Sequence, residues 1–230
     1  MKIITVREKL LVISIIILTG VYQTVWASSK SGEENLTFNV YLNDTLIGNH
    51  EVSISRKNGT KSVVTEADFE VRFMFVPVYS YNHESREFWK DGCLEKIRTT
   101  TNDNGDEYYI KTSQSGNALQ IQTNKGPQLL QGCVRTYAYW DPELLNSERL
   151  LNTQTGEYQQ VSVADHGMNT LTVNGITYQA RKYRLVTEDT TIDLWYSRDM
   201  RWLALETETK SGDRLRYLPE VQTIAGIDRS

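Results

Sequence analysis

The residues best suited to chemistry sit close together. His83 and Glu87 share one alternating register with Tyr79, Tyr81 and Trp89. A histidine near a carboxylate is the raw material of general acid–base catalysis. Set among aromatic rings, it equally suits the polar spot of a ligand pocket. Spacing argues against a direct pair, because four residues of extended chain span about 13 Å. Each group is therefore expected to find its partner on a neighbouring strand, with the hydroxyls of Tyr79, Tyr81 or Tyr108 as candidates. No nucleophile joins them. The chain lacks a Gly-x-Ser-x-Gly elbow, and Ser113, Ser115 and Ser147 fall in turn or helix contexts without a histidine nearby in sequence. There is no glycine-rich phosphate loop or dinucleotide fingerprint. His50, His83 and His166 are far apart and lack metal-ligand spacing. No catalytic residue, metal or cofactor is assigned on this basis. Tyr79, Tyr81, His83, Glu87 and Trp89, with Phe73 of the preceding strand, are instead read as a ligand-binding set. The competing reading is an interior hydrogen-bond network that fixes strand register.

These residues need two long strands to hold them. From Val63 to Phe75 the odd positions are Val, Thr, Ala, Phe, Val, Phe and Phe, while Glu66, Asp68, Glu70 and Arg72 occupy the even ones. Strict alternation of this length marks a strand with one buried and one wet face. After Pro77 the aromatic register returns as Tyr79, Tyr81, His83, Ser85, Glu87, Trp89. Strands are also expected over Leu36–Leu42, Leu46–Arg56, Leu94–Thr101, Glu107–Ser113 and Leu119–Thr123, with turns at Asn43-Asp44, Asn58-Gly59, Asp91-Gly92, Asn104-Gly105 and Ser115-Gly116-Asn117. Gly126-Pro127 is expected to end this meander. Asp141-Pro142-Glu143 is a strong helix start, so a short helix is expected over about residues 142–151, plugging one end or the open side of the sheet. Strands resume at Glu157–Ala164, Thr170–Val173, Ile176–Thr187, Thr190–Tyr196, Trp202–Lys210 and Arg214–Leu218. Asp165-His166-Gly167 reads as a solvated turn, and Glu206 with Glu208 as the wet face of an edge strand. No repeat or linker interrupts the chain. The fold class expected is mainly β: an antiparallel meander forming a barrel or a strongly curved half-barrel, with one short helix.

The first 27 residues have the pattern of a secretory signal. Lys2, Arg7 and Lys9 precede an apolar run from Leu10 to Leu18, and Val25-Trp26-Ala27 is a small-x-small cleavage site. The apolar run is too short for a comfortable span. A single β-rich domain over residues 28–230 follows, with no stable membrane insertion after cleavage. Losing the leader removes three basic residues and one acid, which moves the net charge from −4 to −6. An acidic chain argues against nucleic acid as a partner. The two cysteines, Cys93 and Cys133, suggest one disulfide in an oxidising compartment, the alternative being two buried thiols. Asn35, Asn43 and Asn58 open glycosylation sequons, which matter only in a eukaryotic secretory route.

Several segments carry a resemblance: Phe38–His50 (FNVYLNDTLIGNH), Val78–Leu94 (VYSYNHESREFWKDGCL), Thr99–Gly105 (TTTNDNG), Cys133–Pro142 (CVRTYAYWDP), Leu150–Tyr158 (LLNTQTGEY) and Leu194–Leu205 (LWYSRDMRWLAL). Together they resemble an exported bacterial family known as a domain of unknown function, DUF6134. The Leu-Ile-Gly hairpin and the closing Trp-Tyr-Ser…Trp-Leu-Ala hairpin are more distantly similar to periplasmic half-barrels of the DUF3108 and lipoprotein-carrier type. The resemblance implies a signal peptide, one β-rich domain and a periplasmic location, and it places Cys93 and Cys133 in the family's two cysteine-bearing motifs. It brings no activity and no catalytic residue. The function expected is a non-enzymatic binder or carrier of a lipophilic or amphipathic small molecule. The alternatives are an envelope structural or assembly factor acting through protein contacts, and a hydrolase or isomerase built on His83.

Overall fold

The computed structural model describes residues 32–114, 118–220 and 223–224. The leader Met1–Ala27 and the turn at Ser115-Gly116-Asn117 lie outside the described residues. One antiparallel sheet of 13 strands dominates. Its first half is a meander of β1 (Gly32–Leu42), β2 (Thr45–Lys57), β3 (Thr60–Phe73), β4 (Val76–Lys90), β5 (Cys93–Asp103), β6 (Asp106–Gln114), β7 (Ala118–Thr123) and β8 (Gly126–Gln131). The chain then leaves the sheet, forms a separate ribbon of β9 (Arg149–Leu151) and β10 (Tyr158–Gln160), and returns as β11 (Ser162–Val173), β12 (Ile176–Val186), β13 (Thr191–Tyr196), β14 (Trp202–Glu208) and β15 (Arg214–Pro219). β15 pairs with β1, so the two meanders join in the middle of the sheet and leave β8 and β11 as its edges. The sheet is open. Among the expected architectures this is a half-barrel type and not a closed barrel.

Local chemistry explains the meander. Asn43, Asn58, Asp91, Asn104 and Asn174 all take positive φ at two-residue turns, four of them followed by glycine, which matches the twist demanded between hairpin strands. Alternation along β3 to β5 then sends Val63, Ala67, Phe69, His83, Ser85, Glu87, Trp89, Leu94, Ile97, Thr99 and Thr101 inward, where they are buried. β1 begins at Gly32, four residues before the alternation that signals it. Its polar start is held by ladder pairing to β2 and by Glu34, which pairs with Arg56 at 2.6 Å.

Several expectations need correction. β14, which carries Glu206 and Glu208, is paired on both sides, with β13 and β15, and is not an edge strand. The meander does not end at Gly126-Pro127, which begins β8. Proline is tolerated because β8 is a short edge strand with a neighbour on one side only. The helix expected over 142–151 is a single 3-10 turn, Pro142–Asn146, capped by the Asp141 side chain accepting from the Glu143 N–H. Five residues give too few backbone bonds to propagate a helix, and Leu150 and Leu151 are better satisfied by pairing with β10. Asp165-His166-Gly167 is not a turn between strands but a bulge within β11, where Asp165 accepts from the Gly167 N–H at 2.8 Å and forks onto Arg181.

The excursion between β8 and β11 fills the concave side. Val134, Ala138, Trp140, Leu144, Leu150 and Leu151 are buried in one cluster with Phe38, Val52, Ile54, Val63, Trp89 and Ile110 from the first meander and Leu194, Tyr196 and Trp202 from the second. The disulfide Cys93–Cys133 fastens the start of this excursion to β5, with Cα atoms 5.0 Å apart. Tyr196 donates its hydroxyl proton to the Tyr139 carbonyl at 2.8 Å, and Lys61 pairs with Asp141 at 2.6 Å while lying over the Trp140 ring. A second core of Leu171, Val173, Tyr178, Ala180, Leu203 and Ile224 packs among β11 to β15.

Candidate functional site

The excursion does not fill the concave side completely. A cavity of about 510 Å³ remains, with β2, β3 and β4 supplying one wall and residues 136–140 and 152–155 of the excursion the other. Its position follows from register. Phe38, His50, Ala67, His83 and Thr101 stand in one row across β1 to β5. Alanine at the centre of that row leaves the space that its flanking histidines face. His50 and His83 lie about 10 Å apart, two strand spacings. Both line the cavity.

The polar groups are partnered across strands, but not as the sequence suggests. His83 Nδ1 lies 2.7 Å from Thr101 Oγ1 on β5, so its partner is a threonine and not a tyrosine. Glu87 accepts from Trp89 Nε1 at 2.8 Å and from the Ser85 hydroxyl at 3.1 Å, both on its own strand two residues away. The geometry therefore brings His83 and Glu87 to one cavity without pairing them. Among the described residues, no group of three His, Cys, Asp or Glu side chains is placed to hold a metal.

Burial dominates the electrostatics. It lowers the His50 imidazole to about 3, with a smaller contribution from His83, and lowers His83 itself to about 4. Both rings are neutral at pH 7. His50 keeps partial exposure and lines the cavity. Burial also lifts the Glu87 carboxyl to about 7, opposed by the hydrogen-bonding groups of Trp89, Ser85 and Thr136. The Thr136 hydroxyl, although close enough to act on Glu87, is buried on the cavity wall without a well-formed hydrogen bond. Aromatic rings complete the lining. Tyr81 stacks on Phe69 at 5.2 Å, and His50 makes edge contacts with Tyr217 at 5.3 Å and Trp202 at 5.9 Å. Tyr139, also on the wall, is pushed far up by burial.

Of the expected ligand-binding set, Tyr81, His83 and Glu87 line the cavity. Trp89 lies behind the wall, fully buried against Trp140 at 5.5 Å, and acts on the cavity through its bond to Glu87. Tyr79 points to the rim, donating to Asp103 at 2.7 Å. Phe73 is away from the cavity altogether and is exposed. Its register is inward, but the hairpin has by then run past the neighbouring strands that would cover it. Sequence reasoning missed His50, Thr136, Tyr139, Trp202 and Tyr217. Only the alternation of His50 with Val52 and Ile54 hinted at an inward histidine, and the rest come from segments more than 45 residues distant in the chain.

An open antiparallel half-barrel with an inserted segment and a polar-floored aromatic cavity defines the class. Residues 38–220 match the family described as Domain of unknown function (DUF6134), and the chain belongs to that family. No curated protein matches it in sequence. A solved structure, the crystal structure of a beta-barrel-like protein of the domain of unknown function DUF1849 from Brucella abortus, shares its fold. The TM-score is 0.59 at 9% identity, covering 83% of this chain and 96% of that one.

Proposed function

We propose that the chain is an exported, non-enzymatic protein of the bacterial envelope that binds a small amphipathic molecule in the concave cavity. The leader pattern and the disulfide support export. One observation carries the binding: a cavity of about 510 Å³ walled by aromatic rings, with two neutral imidazoles in its lining. A neutral imidazole offers one donor and one acceptor, so the polar part of the ligand is an uncharged group such as a hydroxyl or amide. The rings of Tyr81, Tyr139 and Trp202 would cover its apolar part. Absence of a His83–Glu87 pair disfavours the hydrolase or isomerase reading. Native mass spectrometry of the periplasmic protein purified without detergent tests this. The expected result is a bound mass of small-molecule size that disappears in Ala67→Trp, which places an indole in the cavity between the two histidines. A clean unliganded mass for both proteins, with circular dichroism showing both folded, overturns it.

A further inference from the structure

The β3–β4 hairpin is longer than the sheet that carries it. β2 follows β3 only to the Gly48–Phe69 pair, and β5 follows β4 only to Tyr81–Asp103. Beyond these, Val71 pairs with Tyr79, Arg72 with Pro77 and Phe73 with Val76. At about 3.4 Å per residue the tip runs roughly 10–14 Å past its last rungs with β2 and β5. This free ribbon is apolar. Phe73 and Val76 face each other across it, and Met74 and Phe75 form its crest, 78% and 93% exposed. Arg72 is ion-paired with Glu70, so the flank brings little free charge.

The crest is also strained. Met74 and Phe75 have φ of 47° and 71°, a region in which bulky side chains are outliers. Four other two-residue turns of this sheet place Asn-Gly or Asp-Gly at such positions, as the turn geometry prefers. Here the chain keeps Met-Phe, at a cost in backbone strain and in exposed apolar surface. Such a combination marks a binding element.

The shape selects the occupant. A narrow ribbon capped by a convex apolar crest presents no flat face to a protein surface, but it fits a medium that closes around it. Tyr79 lies at the base with its hydroxyl on Asp103, the place an amphipathic ring takes at a lipid–water boundary. The turns at Thr187–Thr190 and Lys210 lie at this same end of the sheet and line the cavity together with Tyr81, so the cavity opens beside the hairpin. We propose that the β3–β4 tip is a membrane-surface anchor, with Phe73, Met74, Phe75 and Val76 inserting among the lipids of a zwitterionic bilayer and holding the cavity mouth against it.

The test is flotation of the chain from Ser28, which keeps every strand of the sheet, with phosphatidylcholine vesicles. Wild type is expected to float with the vesicles at low and high salt alike. Burying one phenylalanine contributes enough to make each Phe→Ser change worth about tenfold in partitioning, so Phe75→Ser binds about tenfold and Phe73→Ser/Phe75→Ser about a hundredfold more weakly. Both variants should melt where wild type does, because the side chains they remove are exposed. Binding that vanishes at high salt, binding equal in the double variant, or no binding by wild type overturns the anchor. A Phe75-dependent dimer in sedimentation velocity without vesicle binding overturns it in favour of a second copy, and a Phe75-specific photo-crosslink to a protein does so in favour of a protein groove.

Discussion

Replacing Glu87 by Gln separates the acid's charge from its hydrogen bonds. The amide oxygen still accepts from Trp89 Nε1 and the amide nitrogen meets Ser85, whose hydroxyl can turn to accept. What the variant loses is the proton equilibrium. Glu87 titrates at about 7 in the folded chain against 4.5 ordinarily, chiefly because burial penalises the carboxylate. Between those values the folded protein holds a proton that the unfolded chain has released. The unfolded chain thus binds fewer protons, and stability falls as pH rises from 4.5 through 7, then levels off. A shift of this size corresponds to about 3 kcal/mol. Glu87→Gln has no such term. Its stability relative to wild type should be nearly flat below pH 4.5, climb across pH 4.5–7, and stay about 3 kcal/mol above that baseline at pH 8.5. For a domain of this size the added difference is on the order of 10 °C in Tm. Urea unfolding followed by tryptophan fluorescence at half-unit pH steps measures it. Two stability–pH profiles that run parallel from pH 4 to pH 9 would refute the reasoning, since every other titrating group is common to both proteins.

The histidines produce the opposite limb. His83 has a lowered pKa of about 4, so the unfolded chain takes up a proton below pH 6.5 that the folded chain refuses, and stability is lost as pH falls to about 4; His83→Gln should remove about 3 kcal/mol of that acid-limb loss, and an unchanged acid-unfolding midpoint in the variant contradicts it. Cys93→Ser/Cys133→Ser opens a loop of 40 residues and should lower stability by about 4 kcal/mol, seen as a lower urea midpoint; equal midpoints would show that the excursion docks unaided. At Gly48→Ala the new Cβ would run into the Asp68 carbonyl of the adjacent strand, so the β2–β3 ladder must part; a loss of at least 3 kcal/mol is expected, and a thermal scan matching wild type rules the clash out.

Legibility in the sequence tracked the range of the interaction concerned. Asn-Gly and Asp-Gly turns act over two residues, and they marked four of the hairpins. Alternation acts over one strand, and it placed His83, Ser85, Glu87 and Trp89 on the buried face. Register across strands sets the cavity, and no local pattern states it: that His50 stands two strands from His83 with only Ala67 between depends on where two turns start their ladders. Where cover ends is equally non-local. Phe69 and Phe73 are indistinguishable in the alternation of β3, yet one is buried and the other exposed, because β2 runs alongside the first and not the second. The helix expected over 142–151 failed for a related reason. Its start signals at Asp141 and Pro142 were genuine, but Leu150 and Leu151 answer to a strand that begins at Tyr158.

The chemistry of the cavity limits what can occupy it. A buried carboxylate facing two imidazoles would ordinarily protonate them and form ion pairs, which would favour an anionic or zwitterionic ligand. Here Glu87 turns its oxygens to Trp89 and Ser85, and His83 turns Nδ1 to Thr101, so neither stabilises the charge of the other. Each then follows its own desolvation, the acid upward and the bases downward, and near pH 6 all three are uncharged. A charged headgroup placed between the two imidazoles would lose its hydration without meeting a counter-charge there, because the charged lining groups Glu157, Asp189 and Lys210 come from the excursion and from turns at the end of the sheet. An uncharged polar group loses far less and meets two neutral rings. Selection by desolvation in this way predicts that a ligand's affinity should fall when its polar group is replaced by a carboxylate or ammonium of similar size, and that the penalty should shrink for a cation as Glu87 ionises above pH 7. Isothermal titration with such a matched series at pH 6 and pH 8.5 distinguishes this from recognition by charge, which would rank the series the other way.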